Sequence, residues 1–216
     1  MKKIIFYSVF LNFILICLLP KQSFGQAKTY ISGTIENAKN DSVNLTIDKT
    51  YLSQKQINYQ IPLKQDQFNI EVQLDRNRLV EFSYQGQLMQ LYLEPNDSLN
   101  IKFKAGDLPG SIVFSGRGVV NNQFNKKFND QFKNDFTSSL IEEKMRALSL
   151  DEFEMLIYDN RKKEKIFYTD HADKKLLSSD YKKFIENHLK YNYLNYLLSY
   201  PVVNANKSTA ILKVNS

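Results

Sequence analysis

The sequence predicts an all-β sandwich, antiparallel and of seven to eight strands, followed by an α-helical segment of three to four helices. Three observations carry that expectation. Up to Lys104, apolar and polar residues alternate in short runs, separated by turn signals about every 8–12 residues. No helical pattern interrupts these runs, which disfavours a parallel βαβ sheet. After Gly118 the period changes: Phe124, Phe128, Phe132 and Phe136 recur every four residues, a stripe that only a helix gathers on one face.

Residues 28–36 (KTYISGTIE) form the first strand pattern, and the cluster Asn37-Ala38-Lys39-Asn40-Asp41 turns the chain into a second at 42–47. A third pattern, at 57–63, carries Pro62 near its end, where a missing N–H costs least. Residues 67–74 put Phe68, Ile70, Val72 and Leu74 on one face. Residues 78–84 and 88–93 read as a hairpin around Gln85-Gly86-Gln87. Pro95-Asn96-Asp97 then turns into 98–104, with Leu99, Ile101 and Phe103 facing one way, and 112–114 is a short edge strand.

Beyond the Phe stripe, a second helix is expected over 137–147. Ser149 and Glu152 have the spacing of a capping box for a third, with Phe153, Leu156, Ile157, Phe167 and Tyr168 on its buried side. The charge run Arg161 to Lys165 reads as a solvated face. Ser179 or Asp180 can cap the last helix, whose Phe184, Ile185, Leu189, Tyr193 or Leu194, and Leu197 are apolar; Tyr200-Pro201 is expected to end it. The expected divisions are a signal peptide at 1–25, the sandwich at 26–116, the helical segment at 117–201, and a tail or truncated linker at 202–216.

The first 25 residues have the layout of an export signal. Lys2 and Lys3 open the chain, 4–19 is apolar apart from Tyr7, Ser8 and Asn12, and a break with small residues at Ser23 and Gly25 places cleavage before Gln26. An uncleaved anchor would call for a span of about 20 apolar residues, and this run is shorter. The expected location is therefore the periplasm or the outer cell envelope, with no stable membrane anchor after cleavage. Lys2, Lys3 and Lys21 leave with the signal and no acid does, so the remainder holds 26 basic and 23 acidic side chains, a net +3 where the whole chain has +6. Such a balance does not supply the basic face that nucleic-acid binding needs. The sole cysteine, Cys17, also lies in this segment, behind Ile14-Leu15-Ile16, which are too large for a lipoprotein cleavage box. The mature chain is left without a disulfide, a thiolate nucleophile or a sulfur ligand.

No catalytic, cofactor-binding or metal-binding residue is assigned. Gly116-Arg117-Gly118 before a helix has the look of a phosphate cradle but lacks the glycine run and the following Lys-Ser/Thr, so a structural turn is the better reading. Asp170-His171-Ala172-Asp173 and His188 have no metalloprotease-like spacing; the first reads as a solvated loop, the second as a half-buried, hydrogen-bonded histidine. No Gly-x-Ser-x-Gly elbow occurs, and nothing pairs two carboxylates for acid–base work. Asp41-Ser42-Val43 and Asp97-Ser98-Leu99 resemble the short O-glycan acceptor motif of some exported bacterial proteins.

Tyr92-Leu93-Glu94-Pro95-Asn96-Asp97-Ser98-Leu99, then Phe114-Ser115-Gly116-Arg117-Gly118 and Asn121-Asn122 opening a helix, form a set. In this the chain resembles the N-terminal region, a domain of unknown function, of the exported TlpA-like thiol–disulfide oxidoreductases of Bacteroidota. Asn96 stands where that pattern more often has Gly, and Asn tolerates the same left-handed conformation. The resemblance covers about residues 26–200 and implies a sandwich and helices ahead of a thioredoxin-fold domain with Cys-x-x-Cys. This chain stops where that domain would begin, so it is expected to be a stand-alone or truncated member, without dithiol exchange. The expected function is a non-catalytic exported accessory or binding module, docking a protein partner or an absent thioredoxin domain. The alternatives are a fragment of the full oxidoreductase, or an envelope glycan- or peptide-binding protein.

Overall fold

A computed structural model describes residues 27–39, 42–48, 56–135 and 137–214. The segment expected to be an export signal, the Asn40-Asp41 pair and Phe136 lie outside the described residues. Among the described residues, alternation of period two resolves into eight strands, because each sheet buries one face and wets the other. They are β1 (Ala27–Glu36), β2 (Ser42–Asp48), β3 (Gln56–Pro62), β4 (Gln67–Leu74), β5 (Arg78–Tyr84), β6 (Gln87–Leu93), β7 (Ser98–Lys104) and β8 (Val113–Arg117). They form two four-stranded sheets, the first ordered β4-β1-β7-β8 and the second β3-β2-β5-β6.

The inner faces share one core. Phe68 of β4 meets Phe82 of β5 with ring centroids 5.4 Å apart, and Phe103 of β7 meets Phe82 and Tyr84 edge-on at 6.0 and 5.6 Å. Each such ring, fully removed from water, contributes about 1.5–3 kcal/mol. Tight turns set the register. Gln85 and Gly86 both have positive φ (51° and 75°), as a two-residue type I′ hairpin needs, so the loop is one residue shorter than the expected Gln85-Gly86-Gln87.

The expectation of an all-β, antiparallel sandwich followed by three to four helices needs two corrections. Among the described residues five helices accompany the sheets, the first of them set between β7 and β8: α1 (Leu108–Ser111), α2 (Val119–Phe132), α3 (Ser138–Ala147), α4 (Leu150–Asp170) and α5 (Ser179–Val214), with a 3-10 turn at Ala172–Leu176. And β1 runs parallel to β7, Ile31 opposite Leu99 and Ile35 opposite Phe103, while antiparallel to β4. Parallel neighbours need a long crossover; here β2 to β6 supply it, four of them in the second sheet and β4 returning to the first.

The Phe stripe is core: Phe124, Phe128 and Phe132 pack with Tyr168, Tyr181 and Ile185 around Tyr92, which points outward from β6. The Ser149–Glu152 capping box forms. The cap of α5 is Ser178, one residue before the expected pair: its Oγ accepts from the Tyr181 N–H at 3.0 Å. Nor does α5 end at Pro201, which lies inside it. The ring removes one helical hydrogen bond, but tertiary contacts hold the helix on both sides. Tyr200 Oη donates to Leu148 O (2.8 Å), and Asn204 Nδ2 donates to Met145 O (3.0 Å) and to Tyr200 O (3.1 Å). Among the described residues, no helix is long and apolar enough to cross a membrane.

Candidate functional site

The motif that carried the family resemblance proves to be a joint. Glu94 to Asp97 make a turn closed by Asp97 N–H to Glu94 O (3.1 Å), with Pro95 at its second position and Asn96 at φ 69° in its third. The Asp97 side chain folds back to accept the Glu94 N–H at 2.8 Å and is only 3% exposed. Burial pushes its carboxyl up to about 6; the Glu94 N–H opposes the rise, the Glu94 charge adds to it, and Arg117 offsets part. Gly118 stands directly over it: a Cβ there would lie 2.8 Å from Asp97 Oδ2, and φ is 94°. Asp97 and Gly118 are thus one feature, a buried carboxyl and the residue small enough to roof it. The expected Gly-Arg-Gly turn shortens accordingly, since β8 continues through Arg117 and Gly118 alone makes the break into α2.

The asparagines of α2 complete the joint. Asn122 Oδ1 accepts from Tyr92 N–H (2.9 Å) and its Nδ2 donates to Tyr92 O (2.8 Å), so the side-chain amide pairs with the outer edge of β6 as a neighbouring strand would. Asn125 Nδ2 reaches Gln90 O at 3.4 Å, the next outward carbonyl. Asn121 and Glu94 both meet Ser178: Ser178 Oγ donates to Glu94, while Ser178 N–H donates to Asn121 Oδ1 at 3.1 Å. Strand end, α2 and the cap of α5 are thereby tied together by groups that all have partners. This arrangement holds strand and helices in place.

Docking α2 and α5 against the second sheet leaves a groove beside the joint, with a cavity volume of about 790 Å³. Its floor is the outer face of the sheet, where Thr46, Asp48, Gln56, Leu79, Glu81 and Gln90 alternate with core residues. Register aligns them in rows: Thr46 opposite Glu81, Glu81 opposite Gln90, Asp48 opposite Gln56. Its wall is one face of α5, Asp180, Lys183, Phe184, Asn187, His188 and Tyr191, at spacings of three and four. Arg76, Asn77 and Arg78 close one end. Arg78 is anchored, its Nη1 donating to Asp48 O (2.8 Å) and its Nη2 to Asp75 Oδ1 (2.9 Å); Asn77 Nδ2 donates to Tyr92 Oη (2.6 Å).

The residues singled out in the sequence fall elsewhere, with one exception. His171 ends α4, its Nδ1 accepting the Asp173 N–H at 3.2 Å and its ring against Phe124 at 5.0 Å. Asp173 pairs with Lys127 at 3.1 Å, and among the described residues no group of three His, Cys, Asp or Glu is placed to hold a metal. His188 is the exception: half-buried in the groove wall, it stacks near Phe184, its Nε2 lies 3.0 Å from Asn192 Nδ2, and burial holds its pKa below the usual value. Of the two acceptor-like serines, Ser98 is exposed at the start of β7, and Ser42 accepts from Gln60 Nε2 at 3.2 Å.

The expected solvated face at 161–165 has one exception. Within the charge run 161–165, Glu164 is buried (6% exposed), and burial pushes its carboxyl up to about 7, helped by Asp135. Its place on α4 turns it inward, which a run of charges does not reveal.

No protein-family model matches the chain, and no curated protein matches it. Among solved structures, a "putative cell adhesion protein" from Bacteroides ovatus is similar at 8% identity and a TM-score of 0.27. The match covers 43% of this chain and 43% of that one, so the chain spans less than half of that neighbour's length, and likeness at this level transfers no function.

Proposed function

We propose that this chain is a non-catalytic accessory and binding module working outside the cytoplasm, in the periplasm or outer envelope, and similar to the region ahead of the thioredoxin domain in TlpA-like oxidoreductases. On this reading the two facing sheets are a β-sandwich at 26–116, the helices from 117 onward are its docked frame, and the groove between them is the surface that meets a partner or ligand. One observation carries the proposal: the motif residues on which the resemblance rests, Asp97, Gly118, Asn121 and Asn122, are spent, together with Glu94 and Asn96 beside them, on joining sheet to helices. A motif so used serves architecture, and what it frames is a concave polar surface. The test has two parts. Fractionation and N-terminal sequencing of the expressed protein should give a periplasmic or envelope chain beginning at Gln26. An insulin-reduction assay should give no turnover; measurable turnover refutes the non-catalytic reading.

A further inference from the structure

Resting on that binding-module reading, we propose that the groove between the second sheet and α5 binds a neutral, hydroxyl-rich ligand: a short oligosaccharide. The volume, about 790 Å³, lies within the roughly 300–1,000 Å³ of small-molecule sites.

Charge narrows the class. Arg76, Arg78 and Lys183 face Asp48, Glu81 and Asp180, three of each sign, so the lining has no net charge with which to select an anion or a cation. Hydrogen-bonding capacity narrows it further. Among the described residues, the side chains of Thr46, Gln56, Glu81, Gln90 and Asn187 make no hydrogen bond or ion pair within the protein. Three amides, a hydroxyl and a carboxylate therefore converge on one space with their donors and acceptors uncommitted. A sugar hydroxyl both donates and accepts, and amides beside a carboxylate complement that pairing.

The backbone argues against an extended peptide. A peptide strand binds by adding to a sheet edge, but this floor is a sheet face, with β2 and β5 paired on both sides. One edge of this sheet, on β6, is already taken by Asn122 and Asn125.

The apolar part of the lining fits the same ligand. Phe184 and Tyr191 lie seven residues apart along α5, about 10 Å along the axis. Tyr191 is 56% exposed. Flat rings at that separation can carry the C–H faces of alternate sugars in an extended β-linked chain, while the floor takes their hydroxyls.

The test is calorimetric titration of the purified protein with cellohexaose, chitohexaose and mannohexaose, repeated for Tyr191→Ala, Asn187→Ala and, as an off-site control, Tyr30→Ala on the outer face of the first sheet. The expected result is binding of at least one hexasaccharide. Loss of a ring contact or a hydrogen-bond pair should weaken it about ten-fold in Tyr191→Ala and Asn187→Ala, with no change in the control. Circular dichroism of each variant checks that the fold is kept. No binding of any of the three, or binding indifferent to both groove variants, overturns the proposal. If extended peptides bind instead, and Tyr191→Ala weakens them, the ligand class is wrong but the binding module stands; thiol–disulfide turnover would remove the module reading itself.

Discussion

Replacing Asp97 by Asn separates charge from shape at the joint. The carboxyl is 3% exposed and titrates at about 6, against 3.8 for the free side chain. A raised acid pKa means that the folded state holds the proton more tightly than the unfolded chain. The cost of keeping the charged form buried is therefore absent below about pH 4, grows as pH rises to 6, and is fully present above it. A shift of roughly two units corresponds to about 3 kcal/mol. Asn cannot ionise, yet its Oδ1 can still accept the Glu94 N–H. Urea denaturation from pH 4 to 8 should then show the stability of Asp97→Asn, minus that of the parent, rising by about 2–3 kcal/mol across this range. Any fixed cost of the new amide beside Gly118 shifts that difference equally at every pH, and the other titrating groups cancel. A difference that stays flat from pH 4 to 8 would refute the account of a buried, charge-penalised carboxyl.

Three further outcomes follow from the packing. Glu164→Gln should likewise stabilise the protein at pH 8 but not at pH 4.5, since burial lifts that carboxyl to about 7, with melting temperature as the readout. Asn122→Ala strands the buried N–H and C=O of Tyr92 and should cost about 2–4 kcal/mol by urea denaturation; a cost near zero would mean that the joint is not held by that amide. Pro201→Ala restores a helical N–H and should raise stability by about 1–3 kcal/mol in the same assay, because Tyr200 and Asn204 already hold the helix in place.

Strand positions were legible because alternation is a local consequence of one wet face: Phe68, Ile70, Val72 and Leu74 are all buried, as their spacing implies. Capping was legible where both members lie three residues apart, as with Ser149 and Glu152. Pairing was not. The alternation in β1 is the same whether its neighbour runs parallel or antiparallel, and the partner, β7, comes some seventy residues later. At Pro201 a sound local rule lost to packing from Leu148 and Met145, which no window around the proline contains. The groove was out of reach for the same reason. Its floor comes from β2, β3, β5 and β6 and its wall from α5, and only the polar-aromatic spacing from Asp180 to Tyr191 hinted that one helix face was not simply buried.

The parallel contact of β1 with β7 also imposes an order of events. Loop-closure entropy favours β2–β3, β5–β6 and the β3–β4 turn first, since their partners are close along the chain. β1 can gain β4 early, but its other side stays unpaired until β7 has been made, and β7 is in turn covered by β8. A half-synthesised chain therefore carries an open, apolar sheet edge through most of its emergence. Folding of the first sheet is thereby a late, long-range step, slow by topology and dependent on whatever keeps the nascent chain apart from its neighbours until the seventh strand arrives.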